Sequence, residues 1–251
     1  MNPMLKHLCA GALLLVLAIP AHAATPVTIH LAGDSTMAIK RAEKRPETGW
    51  GEFLAEQFRK GSVVVDNRAM NGRSTRTFIE EGRWTELLDA TKPGDVVLIQ
   101  FGHNDHSVEK PDRYTPPADY VRNLERFVAD VRAKHATPIL LTPVARRRFD
   151  EDGRVVDSHG EYPGLVRMLA AREHIALIDM ERRSAAALQE AGVEGSKALF
   201  LWLAPGEHPN YPEGVQDNTH FSPKGAQRMA REFAAALRES GLELPPPARA
   251  R

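Results

Sequence analysis

The stretch HLAGDSTMA, residues 30–38, lies in a run of strand formers that opens at Val27 and stops at Gly33. An acid and two hydroxyls follow at once: Asp34, Ser35 and Thr36. Turn chemistry is one explanation, because glycine accepts positive φ and short polar side chains bond the nearby backbone. The other is that Ser35 is a nucleophile held at the end of a strand. The rest of the chain has to separate the two.

Four more runs are rich in Val, Ile and Leu: Ser62–Asp66, Asp95–Phe101, Pro138–Thr142 and Ile175–Asp179. With Val27–Ala32 they make five candidate strands, most of them apolar nearly throughout. Strands covered on both faces, as in a parallel sheet, read this way. Helical patterns lie between them. Trp50–Phe58 places Trp50, Phe53, Leu54 and Phe58 at helical spacing. Ala118–Lys134 gathers Val121, Leu124, Phe127, Val128 and Val131 on one face. Tyr162–Arg172 and Ser184–Ala191 are shorter. The last helix is the clearest. Ser222 is a natural N-cap, Pro223 suits the first helical position, and Gly241 marks the stop. Alternation of strand and helix predicts an α/β fold, a three-layer α/β/α sandwich around a five-stranded parallel sheet. Ligands bind such sheets at the C-terminal edge of the strands.

The chain begins with Lys6 and His7, an apolar run Leu8–Ile19, and Pro20-Ala21-His22-Ala23-Ala24. This is the pattern of a secretory signal peptide, with cleavage expected after Ala23. The apolar run is shorter than the roughly 20 residues that span a bilayer. Residues 24–242 are then expected to form one domain. The remainder, 243–251, carries three prolines and is expected to be a disordered tail. Cys9 is the only cysteine and precedes the cleavage site, so the mature chain has no thiol for a disulfide, a zinc–thiolate site or nucleophilic attack. Lys+Arg and Asp+Glu are equal at 33 each, with no clustered basic excess of the kind that marks a nucleic-acid binder.

Polar clusters follow or flank the predicted elements. Ser35 follows the first strand. Asn71-Gly72-Arg73-Ser74 comes after the second, Gly102-His103-Asn104-Asp105 after the third, and Asp217-Asn218-Thr219-His220 just before the last helix. Asp217 and His220, three residues apart in an expected turn, can let a carboxylate orient an imidazole that takes the proton of Ser35. Ser35 N–H, Gly72 N–H and the Asn104 amide are candidate donors to an oxyanion. Taken singly, each has a plainer reading: turn serine, loop glycine, Asx-turn asparagine, structural Asp–His bond. Their order and placement together point to a site.

The four blocks "GDST", Gly72 in "NGRS", "GHND" and "DNTH" resemble the conserved blocks of the SGNH (GDSL) hydrolases. The longer forms "LAGDSTMA", "NGRSTRTF" and "DNTHFSPKGA" are similar to rhamnogalacturonan acetylesterases and related carbohydrate esterases. The resemblance spans about Val27 to Leu237. It implies a flavodoxin-like sheet and ester hydrolysis without metal or other cofactor. Ser35 is then nucleophile, His220 base, Asp217 its orienter, and Ser35, Gly72 and Asn104 the oxyanion hole. Thr36 stands where many members have leucine. The acetylesterase branch shares that threonine, which bears on the expected substrate. The implied function is a secreted serine esterase, periplasmic or extracellular, acting on O-acetyl groups of plant cell-wall polysaccharide, rhamnogalacturonan first and acetyl-xylan second.

Other residues carry two readings each. His159 lines the substrate groove or is a loop histidine. Arg146-Arg147-Arg148 faces an acidic polyuronide or is a solvated run, the commoner case. Tyr162, Trp202 and Tyr211 stack on sugar rings or pack. His103, Asp105 and His106 lack a closed ligand set with metal-site spacing. Two long loops, Gly102–Pro117 and Pro143–Gly160, are candidates for function. Other functions stay open: a periplasmic lipase, thioesterase or arylesterase on the same fold, a carbohydrate-binding module with a dead site, or a glycosidase. The last needs two acids flanking one bond at about 5–9.5 Å, which the sequence does not reveal. The G-x-S-x-G elbow of α/β-hydrolases is absent.

Overall fold

The computed structural model describes residues 25–242 and Leu244. The expected signal peptide and all of the expected tail but Leu244 lie outside the described residues. Five parallel strands form the central sheet: β1 (Val27–Gly33), β2 (Val63–Asn67), β3 (Val96–Gln100), β4 (Thr137–Leu141) and β5 (Ala176–Ile178). Their order is β2-β1-β3-β4-β5. β3 is central and every one of its residues is buried, which explains the apolar run Val96–Ile99. β2 is an edge strand that leaves Val64 exposed, and β5, the other edge, has three residues.

Side chains of alternate strand residues point to opposite faces, and the core divides accordingly. Ile29, Leu31, Leu98, Ile139 and Leu141 pack under α5 (Met180–Gly195) and α6 (Pro223–Glu239). Ala32, Val97, Ile99 and Leu140 pack under α1 (Thr75–Glu80), α2 (Arg83–Ala90), α3 (Pro117–Ala133) and α4 (Tyr162–Arg172). Trp50 stacks on Phe233 at 5.5 Å in the first layer, and Trp84 on Phe127 at 4.0 Å in the second. No helix of the described residues is long and apolar enough to cross a membrane.

Three differences from the sequence reading have local causes. Trp50–Phe58 is not one α-helix but two short 3₁₀ turns, Trp50–Phe53 and Ala55–Gln57. Gly49 and Gly51 lie against the backbone of Met37 and Ala38, where a regular helix with side chains does not fit. Helices α1 and α2 were not anticipated. Both are short, and α1 buries only Thr75 and Phe78. A second, two-stranded antiparallel sheet was also missed: β6 (Phe200–Leu203) and β7 (Val215–Phe221). Asp217–His220 therefore belongs to a strand, not to a simple turn. The pairing is irregular there. Phe221 is opposite Phe200 and Gln216 opposite Trp202, so four residues, 217–220, face the single Leu201. Such bulges re-aim side chains and are common beside active sites.

Candidate active site

All five strands are parallel, so their C-terminal ends share one edge. Ser35 lies two residues past β1. Asp34 shapes that turn: its Oδ1 accepts the Thr36 N–H and the Thr36 hydroxyl, both at 2.9 Å. The same hydroxyl oxygen accepts Gln100 Nε2–H at 2.8 Å, and Gln100 Oε1 accepts Trp50 Nε1–H at 3.2 Å. Burial pushes the Asp34 carboxyl up, against the opposing pull of Thr36, Lys40 and His220. Thr36 is 1% exposed. It braces the turn from inside.

The bulge of β7 brings Asp217 and His220 to this turn. Asp217 Oδ1 accepts the backbone N–H of Thr219 at 2.7 Å and of His220 at 2.9 Å. Its Oδ2 lies 2.7 Å from His220 Nδ1, and His220 Nε2 lies 2.9 Å from Ser35 Oγ. Burial alone raises the Asp217 carboxyl. The His220 ring N–H, its charge and the two backbone donors outweigh that and hold it at about 2. Arg147 locks the bulge from behind. Its backbone N–H donates to Asn218 O at 2.8 Å, and its guanidinium reaches Asn218 Oδ1, Ser196 Oγ and Val193 O. On the far side Ser222 caps α6, accepting Gly225 N–H at 3.1 Å. Gly225 is required because a Cβ there is 1.8 Å from Leu199 O.

The second block turns at Gly72, with φ +77°, a region that favours glycine. Neither Ser35 N–H nor Gly72 N–H donates a hydrogen bond among the described residues. Asn104, in the turn after β3, donates one Nδ2–H to Arg73 O at 2.9 Å, which ties the second and third blocks together and leaves the other N–H of the amide. Ser35, Gly72, Asn104, Asp217 and His220 all line one cavity of about 610 Å³. Its lining is mainly polar and carries Lys44, Lys110, Arg113 and Arg146.

The three residues named tentatively for substrate binding separate. Arg146 lines the cavity, donating to Thr219 Oγ1 at 2.7 Å and to His103 O at 3.1 Å. It also lines a neighbouring hollow with Lys110 and Arg148. His159 is 1% exposed and lies behind His103, with Nε2 3.0 Å from His103 Nδ1. Tyr162 is buried, and its hydroxyl donates to Thr115 O at 2.6 Å. Neither His159 nor Tyr162 is part of the cavity wall. The arginine run is split: Arg147 points inward, Arg146 to the cavity, and Arg148 is exposed. Trp202 is flanked by Arg147 and Lys197, and the Tyr211 hydroxyl donates to Lys44 O. His106 Nδ1–H donates to Gly102 O, and Asp105 accepts from Thr75. Among the described residues no three His, Cys, Asp or Glu side chains gather to hold a metal ion.

Sequence reasoning missed Lys40 and Glu47 beside Ser35. Lys40 Nζ is 2.8 Å from Glu47 Oε1, and Glu47 lines the cavity. Neither belongs to a recognisable block, and only the tertiary contact reveals them.

A serine, imidazole and carboxylate in hydrogen-bonded series, beside unpaired backbone N–H groups at a sheet edge, is the equipment of acyl transfer. Residues 31–228 match the GDSL-like lipase/acylhydrolase family, and the chain belongs to that family. It is a carboxylic ester hydrolase. It is 42% identical over 219 residues to rhamnogalacturonan acetylesterase RhgT of Bacillus subtilis, covering 87% of this chain and 93% of the relative. It is 25% identical to the rhamnogalacturonan acetylesterase of Emericella nidulans, covering 86% and 87%. Among solved structures, YxiM of Bacillus subtilis superposes with a TM-score of 0.74 at 28% identity, covering 87% of this chain and 58% of YxiM. The acetylxylan esterase of Geobacillus stearothermophilus shares the fold, with a TM-score of 0.61 at 22% identity, covering 87% and 97%.

Proposed function

We propose that this protein is a carbohydrate acetylesterase, exported from the cytoplasm, that removes O-acetyl groups from plant cell-wall polysaccharide or its oligosaccharides. Acetylated rhamnogalacturonan is the first substrate and acetyl-xylan the second. The observation that carries the reading is the series Asp217–His220–Ser35, 2.7 Å and 2.9 Å per link, opening into a wide polar cavity. Similarity to RhgT over most of both chains supports the substrate. Among the cations and carboxylates that share the cavity wall, Arg146 and Lys110 can meet the carboxylates of an acidic polymer. A cavity built for long acyl chains requires apolar walls, and this one is mainly polar.

In this mechanism Ser35 Oγ attacks the acetyl carbonyl carbon while His220 Nε2 takes its proton. The negative charge that develops on the carbonyl oxygen is met by Ser35 N–H, Gly72 N–H and the Asn104 amide. The bond to the sugar oxygen then breaks, that oxygen takes the proton from His220, and acetyl-Ser35 remains. Water attacks the acetyl-enzyme with His220 again as base, and acetate leaves. Asp217 holds Nδ1–H and so keeps Nε2 free to accept.

The test is acetate release from acetylated rhamnogalacturonan, acetyl-xylan and p-nitrophenyl acyl esters of increasing length, with Ser35→Ala as control. Release from polysaccharide, lost in the variant, supports the proposal and ranks the polymers. Turnover confined to long-chain esters makes the protein a lipase or thioesterase instead.

A further inference from the structure

The side chain of Lys40 is buried, with no exposed surface, beside the nucleophile turn. An ammonium has three N–H donors, and Lys40 finds three acceptors on three separate segments. One is the main-chain carbonyl of Ser35. The second is Asn71 Oδ1 at 2.8 Å. The third is Glu47 Oε1 at 2.8 Å. The first two acceptors belong to the residue that carries one candidate oxyanion donor and to the residue just before the other.

The peptide planes explain why this matters. Gly72 N–H belongs to the Asn71–Gly72 peptide. Asn71 is held at its side chain by Lys40 and at its carbonyl by Arg73 Nη1, 2.8 Å away. Ser35 N–H belongs to the Asp34–Ser35 peptide, whose carbonyl accepts Met37 N–H and Ala38 N–H. Lys40 fixes the following carbonyl of the same residue. Each donor peptide is thus clamped at its own carbonyl by a local bond, while the same ammonium holds the group next to it, the Ser35 carbonyl of the following peptide and the Asn71 side chain. An oxyanion hole works only when its donors are already in place, because reorganising them at the moment of reaction forfeits the gain.

We propose that Lys40 is a positioning residue for ester hydrolysis: its buried ammonium joins the Ser35 turn to the Asn71–Gly72 turn and sets the spacing of their two N–H groups. Glu47 completes the tripod. It balances the buried charge, and with its Oε1 3.9 Å from His220 Nε2 it anchors the ammonium on the cavity side. The inference rests on the reading of Ser35 as nucleophile, which Ser35→Ala tests separately.

The experiment compares kcat and KM for p-nitrophenyl acetate in the wild type, the double variant Lys40→Met/Glu47→Gln and the single variant Asn71→Ala. The double variant avoids leaving a buried carboxylate unpaired. Phenylboronic acid supplies a second readout, because its adduct with Ser35 is tetrahedral and anionic. Kcat is expected to fall about 10²-fold in the double variant and about tenfold in Asn71→Ala, in line with loss of oxyanion donors. KM should stay within about threefold, as for an interaction made only in the transition state. Boronate affinity should fall in parallel with kcat. Folded variants that keep kcat and boronate affinity within about threefold overturn the proposal, and so does a loss confined to KM. Should the double variant fail to fold, Asn71→Ala decides by the same criteria. Asn71 is a partly exposed turn residue that breaks only one leg. Wild-type activity that survives Ser35→Ala instead removes the nucleophile reading itself.

Discussion

His159 reaches the cavity only through His103: its Nε2 is 3.0 Å from His103 Nδ1, and both rings are buried. Ser158 Oγ accepts the backbone N–H of Arg146 and lies 3.1 Å from His159 Nδ1. The two rings share one hydrogen bond between His159 Nε2 and His103 Nδ1. Burial, reinforced by the neighbouring imidazoles and Arg146, holds both pKa values well below the ordinary histidine value. Both rings therefore stay neutral in the folded chain while unfolded histidines take protons below about pH 6.5. Stability is full above that pH and is lost as pH falls below it. Replacing His159 by Gln is expected to shrink the drop in Tm between pH 7.5 and pH 5. An unchanged drop contradicts the neutral pair.

Ser35→Ala is expected to abolish turnover of p-nitrophenyl acetate with little change in Tm. Asp217→Asn should keep the geometry but lower kcat by about 10³–10⁴, because the amide cannot hold the required imidazole tautomer. Asp217, held at about 2, stays ionised through mild acid. A protonated His220 can no longer accept the Ser35 proton, so the rate is expected to fall on acidification while Asp217 stays ionised. A rate that acidification leaves unchanged removes His220 as base.

Asp105 gives the opposite pH slope. Burial raises its carboxyl to about 7 against the bonds from Thr75. Its Oδ1 accepts Thr75 N–H at 2.9 Å and the Thr75 hydroxyl at 2.6 Å, while Oδ2 is buried without a partner. An unfolded aspartate ionises near pH 3.9. Its contribution to stability is thus present below about pH 4 and is lost as pH rises towards 7. Asp105→Asn cannot ionise, so its Tm relative to wild type should improve steadily from pH 4 to pH 8. A constant difference across that range shows that the carboxyl does not titrate there.

Arg146 and Lys110 line both the main cavity and the hollow beside it. If acidic sugars occupy these positions, Arg146→Ala and Lys110→Ala should raise KM for acetylated rhamnogalacturonan by about tenfold each, the effect of losing roughly 1.4 kcal/mol of binding. Acetyl-xylan, which offers fewer carboxylates, should change less. Equal effects on both polymers remove the electrostatic account.

Phe233 is buried on α6 and stacks on Trp50, which in turn donates to Gln100 beneath the Ser35 turn. Phe233→Ala is expected to destabilise the fold by about 3–5 kcal/mol, measured by chemical denaturation. A value near zero shows that the layer closes over the cavity.

The central strand β3 was legible because burial on both faces writes an unbroken apolar run, Val96–Ile99. The last helix was legible because its cap and its apolar stripe coincide. The Trp50–Phe58 region misled. Its apolar spacing is helical, but packing against Met37 and Ala38 allows only 3₁₀ turns there. His159 lies among polar, loop-like neighbours and Tyr162 opens a predicted helix, yet both are buried and bond partners far along the chain.

By itself the sequence determined the alternation of strand and helix, the order of four polar blocks, and which serine, glycine, asparagine, aspartate and histidine belong to them. These are local properties, set by periodicity, turn chemistry and short motifs. Tertiary structure alone decided that 217–220 bulge out of β7 to meet Ser35, that Thr36 faces the core, and that Lys40 joins the Ser35 turn to Asn71, 31 residues further along the chain than Lys40 itself. Those relationships depend on which distant segments are brought together by burial, and no pattern along the chain records them.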